Sequence, residues 1–434
     1  MSRSLRHGVI SLFIVLAWGS GWLMLWTLGF YLTHNGQQAA LFLPHGVYLA
    51  LLILLSRRYW PALALPPMLA ASAALPPLAS AAPAVVSGKS SFIPRRGKGP
   101  RIVICGGGWG GLSAARYLRE WIPQADVILV DRNPTFWSGP MSNKWLADVV
   151  STDFVNRDIL RPARTWGYTL LQTSMGWLDY DYLILAGGIR DAFDVWFGND
   201  QRTIDYTRMH YSSAYLPNRE MMSLKQRVHA FKGGTLVMTM PPPPHRCPPS
   251  PYERACLIAA IFKRKKIPGK VVILDPKPRL APISAGYQQA FKELYPDIIE
   301  HVPNAQVKSV DPYKRHISTK AGDFDFDEAI LMPPHQAADM VWHAGLIGKG
   351  PDGKPTTWGD IDNKFFTAKS DDRVYIIGDS IGQVSPLFGH YPKSAHVAST
   401  LGRIVAKNLS QRVAGKTVER ILPDNLCYMM VNLE

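Results

Sequence analysis

The sequence contains few cysteines, and their spacing excludes several kinds of redox centre. Only four occur in 434 residues, namely Cys105, Cys247, Cys256 and Cys427. No two of them form a CxxC pair, and there is no CxxCH segment. The ligand patterns of zinc sites, iron–sulfur clusters and covalent haem are therefore missing. We expect no metal site in this chain.

Acidic residues are scarce as well. Asp and Glu number 33 against 48 Lys and Arg, which gives a formal net charge of +15. A basic chain can attract nucleic acid, anionic lipid or an acidic protein. The basic residues form no stripe with interleaved aromatic residues, and no DNA- or RNA-binding motif is present. We expect no nucleic-acid partner.

Charge is absent from a long N-terminal stretch. Residues 8–33 contain no Lys, Arg, Asp or Glu, and a bilayer is crossed by ~20 apolar residues. Residues 38–56 form a second hydrophobic run, and the Ala- and Pro-rich residues 59–86 are a third, ambiguous one. The sequence thus predicts a membrane segment over residues 1–86 with two or three spans.

Three interpretations of this N-terminal segment stay open. Residues 42–61 resemble part of the integral-membrane sensory domains of the MASE type. Alternatively, the Ser-Arg-Arg at residues 56–58, an apolar run and the Ala-Ser-Ala at residues 79–81 resemble a twin-arginine export signal. The third interpretation is a plain anchor. Residues 87–100, which contain Ser, Gly, Pro and a basic cluster, are predicted to be a linker.

A dinucleotide-binding motif follows the linker. Residues 101–105 predict a short strand, residues 106–111 read GGGWGG, and a helical pattern follows. In such a motif Gly106 permits the tight turn, Gly108 admits a pyrophosphate, and Gly111 lets the helix pack on the strand. The helix N-terminus then directs amide hydrogens at the phosphates.

Three further segments favour FAD as the ligand. Asp131 ends a second predicted strand, where an acid binds ribose hydroxyls. Residues 182–188 (YLILAGG) and 374–379 (VYIIGD) have the form of later strands of FAD domains. Flavoproteins with two dinucleotide-type domains carry such segments, and there the aspartate of the Gly-Asp pair bonds the ribitol. By this resemblance we expect Gly187, Gly188, Gly378 and Asp379 at the cofactor.

A second nucleotide site is disfavoured. Another strand is predicted at residues 233–238, but residues 241–249 read PPPPHRCPP instead of a glycine motif. Proline has no N–H with which to cradle a phosphate. We therefore do not expect a nicotinamide substrate.

From about residue 100 to 434 the chain resembles the flavoprotein of flavocytochrome c sulfide dehydrogenase, a relative of sulfide:quinone oxidoreductases. The segments that carry the resemblance are residues 244–255 (PHRCPPSPYERA), 332–337 (MPPHQA), 378–379 (GD), 391–394 (YPKS) and 425–428 (NLCY). The resemblance implies electron transfer from a small reduced sulfur donor through FAD to a c-type cytochrome or a quinone. It also implies a periplasmic catalytic region.

The chain departs from the family at three places. Cys247 stands where the first of two redox cysteines belongs, but Gly359 replaces the second. The cysteine that tethers FAD before a Ser-Asn pair is missing ahead of Asn143, so we expect non-covalent FAD with Asn143 near it. The family's β-meander is absent between Thr173 and Tyr180.

Cys247 is the candidate catalytic residue. We expect Ser250 to be the N-cap of a helix with Pro251 at its first position and Glu253 completing a capping box. A helix N-terminus and the adjacent Arg246 would both favour a thiolate. The alternative is a turn cysteine kept for packing. Cys256 is expected in the core, which leaves Cys247 as a single free thiol.

Lys393 precedes a predicted helix, whose N-terminal dipole together with the lysine would stabilise an anionic reduced flavin. The alternative is a solvated surface lysine. Four histidines lack the spacing of metal ligands and are assigned to loops or packing, namely His335, His343, His390 and His396. For His390 or His396 a proton relay is the alternative.

The predicted fold is α/β, with two Rossmann-like domains and a small C-terminal flavin-binding region. The FAD domain is expected at residues 100–187 and 320–380, the second domain at 190–320 and the C-terminal region at 381–434. The predicted function is a sulfur-oxidising flavoenzyme. A flavin dehydrogenase with a non-sulfur donor and a non-catalytic membrane-attached redox sensor remain alternatives.

Overall fold

The computed structural model describes residues 85–87, 93–172, 178–216, 219–385 and 389–433. The predicted spans lie outside the described residues, apart from the end of the third hydrophobic run. There Val85–Ser87 forms a strand, so the folded sheet begins inside the segment that the sequence assigned to the membrane. Within the described ranges, no helix is both long and apolar enough to cross a bilayer.

The described residues form eleven α-helices and twenty strands. The helices are α1 (Trp109–Trp121), α2 (Ser142–Leu146), α3 (Thr152–Val155), α4 (Leu160–Trp166), α5 (Asp194–Phe197), α6 (Gln201–Tyr211), α7 (Arg219–Ala230), α8 (Ser250–Lys265), α9 (Ser284–Glu293), α10 (Asp339–His343) and α11 (Ala395–Val413).

The strands are β1 (Val85–Ser87), β2 (Arg101–Cys105), β3 (Asp126–Val130), β4 (Thr135–Trp137), β5 (Asn156–Asp158), β6 (Thr169–Gln172), β7 (Tyr182–Leu185), β8 (Ile189–Asp191), β9 (Gly234–Thr239), β10 (Gly269–Leu274), β11 (Ile299–Val302), β12 (Val307–Asp311), β13 (His316–Thr319), β14 (Gly322–Asp325), β15 (Glu328–Ile330), β16 (His335–Ala337), β17 (Ile347–Lys349), β18 (Pro355–Gly359), β19 (Thr367–Ala368) and β20 (Asp371–Ile376).

The largest sheet has seven strands in the order β1-β6-β3-β2-β7-β20-β19. All neighbours are parallel except β19 and β20. Strands β2 and β3 are almost entirely buried, as expected for apolar strands covered on both faces. Helix α1 lays Ala114, Ala115 and Leu118 on the core. The predicted strand–turn–helix around the glycine motif is thereby confirmed.

A second, parallel sheet has the order β11-β10-β9-β15. Helix α8 connects β9 to β10, and every residue from Ser250 to Phe262 is buried. A helix that is buried all round must satisfy its polar groups internally, and α8 does so at its first turn. The antiparallel sheet β12-β13-β14 follows β11 along the chain. The predicted α/β architecture is confirmed, whereas the predicted domain limits stay a prediction.

The predicted capping box of α8 is wrong. The helix begins at Ser250, Pro249 occupies the N-cap position, and no side chain caps the helix. The Ser250 hydroxyl and the Glu253 carboxylate both accept hydrogen bonds from the amide of Asn143, at 3.0 and 2.8 Å. This long-range buried contact takes the two side chains that a local cap would have used.

Candidate functional site

Four parallel strands end side by side at one edge of the large sheet. Cys105 at the end of β2 pairs with Val130 of β3 and with Leu185 of β7. Leu185 pairs in turn with Ile376 of β20. Ligands of open α/β sheets bind beyond the carboxyl ends of the strands. The glycines and acids that the sequence singled out follow these strands and therefore meet at this edge.

The glycine turn after β2 has the close contacts that exclude a side chain. Gly106 has φ +112°, and a Cβ there would lie 2.5 Å from the Ala186 carbonyl oxygen. A Cβ on Gly111 would lie 1.8 Å from the carbonyl oxygen of Gly106. A Cβ on Gly108 would meet nothing within 4 Å. Gly108 is thus the one glycine of the motif whose smallness serves no internal contact.

Asp131 lies at the start of the loop after β3. Its carboxylate accepts a hydrogen bond of 2.5 Å from the backbone N–H of Gly107 and one of 2.7 Å from that of Asn133. The acid therefore holds the glycine turn from the neighbouring strand. Its predicted bond to a ribose stays a prediction.

Asp379 lies beyond β20 and is only half satisfied. Its Oδ2 accepts a 2.6 Å hydrogen bond from Nε of Arg246. Its Oδ1 is buried and has no hydrogen-bond partner among the described residues. A buried carboxylate oxygen costs free energy unless a donor reaches it. The open space at Gly108 and this orphaned acceptor fit a dinucleotide with a polyhydroxyl chain, as FAD has.

Strands β7 and β20 are tied together at the same edge. The Ser380 hydroxyl donates a 2.5 Å hydrogen bond to the Gly188 carbonyl. A Cβ on Gly188 would approach Nη2 of Arg246 to 2.5 Å, and one on Gly187 would approach Ala338 to 2.8 Å. The two glycines let the Arg246 guanidinium and the segment before α10 pack directly on the strand end.

Lys393 is buried at this edge, so its interpretation as a solvated surface lysine is wrong. Its ammonium donates to the carbonyls of Asp379 and Ile381 at 2.8 and 2.9 Å. It also lies 3.7 Å from the ring centroid of Trp358, a cation–π distance. Burial lowers the pKa of Lys393 to about 7, because a charged amine is disfavoured away from water.

Cys247 lies between the Lys393 segment and α8. Its N–H donates a 2.8 Å hydrogen bond to the Lys393 carbonyl, and its own carbonyl accepts from the Ser250 N–H at 2.9 Å. Burial raises the pKa of the Cys247 thiol to about 12, and the charge of Glu253 adds to the rise. Burial therefore opposes the thiolate that the helix terminus and Arg246 were expected to favour, and the catalytic role of Cys247 stays a prediction. Arg246 directs its guanidinium to Asp379.

Asn143 holds the first turn of α8. Its amide nitrogen donates to Glu253, and its Oδ1 accepts a 2.9 Å hydrogen bond from Nε of Arg254. Both ends of this buried side chain are thus engaged by the protein itself. The predicted contact of Asn143 with a cofactor stays a prediction.

A buried acid–histidine pair next to the site escaped the sequence analysis. Strands β8 and β16 pair Asp191 with His335, and His335 Nε2 lies 3.5 Å from Asp191 Oδ1. Neither atom has a hydrogen-bond partner within the described ranges. Nδ1 of His335 accepts from the N–H of Arg246 at 3.1 Å, and Ser213 donates to Asp191 at 2.7 Å.

Burial governs the protonation of this pair. It raises the pKa of Asp191 to about 6 and holds the pKa of His335 well below its usual value. The only sequence signal was that His335 lay in a segment shared with the resembled family. Nothing local linked it to an acid 144 residues earlier, because strand pairing brings them together.

The remaining histidines and cysteines have separate surroundings. Burial lowers the pKa of His390 to about 4, and Nδ1 of His396 accepts a 2.8 Å hydrogen bond from the N–H of Leu426. All four cysteines are free, and Cys256 is fully buried. In the part of the chain that the structure describes, no group of three or more His, Cys, Asp or Glu residues has the arrangement of a metal site.

The acid that follows β10 in the second sheet is bound by side chains of the protein itself. Asp275 is fully buried and accepts hydrogen bonds from the hydroxyl of Tyr252 and from Nε2 of His301, the latter at 2.9 Å. Its other oxygen lies 3.0 Å from the ammonium of Lys277. At this position a nicotinamide-binding domain offers a free acid to a ribose. The geometry thus defines an α/β fold in which one edge of the large sheet is suited to binding a dinucleotide.

Comparisons with known proteins agree with this class. The family model for the central part of the sulfide dehydrogenase [flavocytochrome c] flavoprotein chain matches residues 221–333. A MASE1 model matches residues 10–93, which include most of the predicted membrane segment.

Among curated relatives, the sulfide-quinone reductase of Aquifex aeolicus is 22% identical over 340 residues, which are 71% of this chain and 75% of that protein. The flavoprotein chain of sulfide dehydrogenase [flavocytochrome c] from Chlorobaculum thiosulfatiphilum is 46% identical over 43 residues, 10% of this chain and 90% of that sequence.

The crystal structure of the Aquifex aeolicus sulfide:quinone oxidoreductase superposes with a TM-score of 0.60 at 18% identity, over 73% of this chain and 77% of that one. The chain belongs to the sulfide dehydrogenase and sulfide-quinone reductase-like flavoproteins.

Proposed function

We propose that this chain binds FAD non-covalently at the carboxyl edge of the large sheet and oxidises a small reduced sulfur compound. A c-type cytochrome or a quinone receives the electrons. The observation that carries the proposal is that Cys247 is hydrogen-bonded to the backbone of Lys393, whose ammonium binds the Asp379 carbonyl. A thiol and a cation thus lie beside the acid that the family uses for the ribitol.

FAD supplies a two-electron acceptor when bound. The chain contributes the surroundings of that acceptor. Arg246 fixes one oxygen of Asp379 and leaves the other free for a ribitol hydroxyl. The Lys393 cation favours negative charge that develops nearby, and its burial strengthens this effect. The Asp191–His335 pair can hold one proton close to the Arg246–Cys247 backbone.

Anaerobic mixing of the FAD-loaded full chain with sulfide tests the proposal. We expect the flavin absorption band to bleach, and we expect Cys247→Ser to abolish bleaching while FAD stays bound. Cys256→Ala is the matched control, because that cysteine is buried in α8, and it should leave the rate unchanged. Bleaching that is equally fast in Cys247→Ser would contradict a catalytic thiol.

A membrane-attached FAD redox sensor is the second candidate, favoured by the MASE1 match at residues 10–93. The third, a flavin dehydrogenase with a non-sulfur donor, shares the FAD site. Sulfide separates these candidates from the first, because neither predicts rapid bleaching. The N-terminal match also supports a membrane segment ahead of the flavoprotein part. The family resemblance supports a catalytic region on the periplasmic side.

A further inference from the structure

The C-terminal tail places a second cysteine in the neighbourhood of Cys247. Residues 416–433 contain neither helix nor strand. Near its middle, Asn425 accepts a 2.6 Å hydrogen bond from the hydroxyl of Ser394. Farther along, the N–H of Met430 donates a 2.9 Å hydrogen bond to the Glu253 carboxylate. Cys427 lies between these two anchors.

Cys247 is fixed by the same two elements. Its N–H binds Lys393, which precedes Ser394, and its carbonyl binds the N–H of Ser250 in the first turn of α8, where Glu253 also lies. The two cysteines are therefore bracketed by one loop segment and one helix turn. The charge of Cys427 is among the causes that raise the pKa of Cys247, which agrees with their proximity.

The two thiols differ in exposure and in the local structure around them. Cys427 is exposed, and its Sγ lies 3.8 Å from Oδ1 of Asn425 within the irregular tail. Cys247 packs partly buried against the core. Cys256 is fully buried and belongs to a regular helix. A disulfide needs Cα atoms within about 4.4–6.8 Å, a distance that an irregular tail can adjust and a packed helix cannot.

We propose that Cys247 and Cys427 form a redox-active dithiol–disulfide pair, in which the tail cysteine replaces the one missing at Gly359. The proposal rests on the proposed function and names its thiol chemistry. Forming the S–S bond removes two protons and two electrons from the two thiols. With FAD bound as proposed above, the flavin would accept them. In a test, oxidised glutathione receives them and is released as two molecules of glutathione.

Thiol–disulfide exchange gives the order of events with glutathione. The exposed Cys427 attacks a sulfur of oxidised glutathione, forms a mixed disulfide and releases the first glutathione. Cys247 then loses its proton to solvent, and its thiolate attacks the Cys427 sulfur and releases the second glutathione. One S–S bond is consumed and one is formed, so atoms and electrons balance.

The test is disulfide mapping of the FAD-loaded full chain in detergent micelles. The protein is incubated with oxidised glutathione, its free thiols are alkylated in denaturant, and its peptides are mapped without reduction. We expect loss of two of the four thiols and a peptide that links Cys247 to Cys427. Cys427→Ser should yield no linked peptide, whereas Cys256→Ala should yield it as the wild type does.

Retention of four thiols, a link from Cys247 to Cys256, or a glutathione adduct on Cys427 without the linked peptide overturns the proposal. The mapping needs no turnover and so is independent of the sulfide assay. A linked peptide without bleaching of the flavin by sulfide would contradict the proposed function and leave the Cys247–Cys427 pair intact. Bleaching without a linked peptide would contradict only the Cys247–Cys427 pair.

Discussion

Gly108 provides the sharpest test of the dinucleotide site, because its replacement should separate cofactor binding from folding. Its backbone has φ −80° and ψ −168°, which any residue adopts. A Cβ there meets no atom within 4 Å. In Gly108→Ala, reduced freedom of the unfolded chain stabilises by ~0.4–1 kcal/mol, and loss of a glycine N-cap costs a similar amount. We expect unchanged stability of the apoprotein.

The FAD complex should suffer in the same variant. The added methyl group occupies the space through which a pyrophosphate approaches the helix N-terminus. Loss of one hydrogen bond to a charged group costs ~1.5–3 kcal/mol, which is roughly a 10- to 150-fold weaker affinity at 1.4 kcal/mol per factor of ten. The measurements are thermal unfolding of the apoprotein and titration with FAD by calorimetry.

Gly111→Ala is the matched control for folding. Its Cβ would lie 1.8 Å from the Gly106 carbonyl oxygen, so the strand–turn–helix must open. We expect this variant to lose both its cooperative unfolding and its FAD binding. If Gly108→Ala binds FAD within twofold of the wild type, or if it unfolds as Gly111→Ala does, the assignment of this turn to the pyrophosphate is refuted.

Three further predictions concern the buried charges of Lys393 and Asp191 and the choice of electron donor. Lys393→Met should lower the flavin midpoint potential by ~20–60 mV, from ~1–3 kcal/mol of lost attraction to the reduced anion. The effect should shrink as the pH rises through the Lys393 pKa of about 7, and the exposed Lys369→Met should change nothing in spectroelectrochemistry. Because burial raises the pKa of Asp191 from 3.8 to about 6, the folded state binds the extra proton. Stability should therefore fall by about 3 kcal/mol from pH 4 to 6 and then level off, and urea unfolding of Asp191→Asn should lack that component. NADH should bleach the flavin far more slowly than sulfide, because Asp275 is internally paired, and equal stopped-flow rates would contradict this.

The sequence predicted best what neighbouring residues determine. The glycine turn between β2 and α1 depends on residues 101–118, so its pattern was readable and its structure is confirmed. The meeting of strand ends at one edge followed from parallel pairing, a general property of such sheets. The domain limits and the cofactor contacts of single residues stay predictions.

What failed depends on contacts between distant residues. Ser250 and Glu253 have the local pattern of a capping box, but Asn143, more than 100 residues away, binds both. Arg246 was expected to activate the adjacent cysteine, yet it pairs with Asp379, which is 133 residues distant. Local propensity is a weak prior wherever buried polar groups must find partners.

Gly359, which stands where the resemblance leads one to expect a second redox cysteine, is closely packed in this chain. Gly359 pairs with Ile381, and its carbonyl accepts a 2.9 Å hydrogen bond from the N–H of Gly382. A Cβ on Gly382 would lie 2.5 Å from that carbonyl, and one on Gly359 would lie 3.0 Å from Ile376. Ile381, the residue that pairs with Gly359, accepts a hydrogen bond from the Lys393 ammonium through its own carbonyl. Restoring a cysteine at 359 therefore overpacks the segment that holds this cation, and overpacking costs about 1–3 kcal/mol. The thiol partner proposed for Cys247 is Cys427, which lies in an exposed, irregular tail that is free of this constraint.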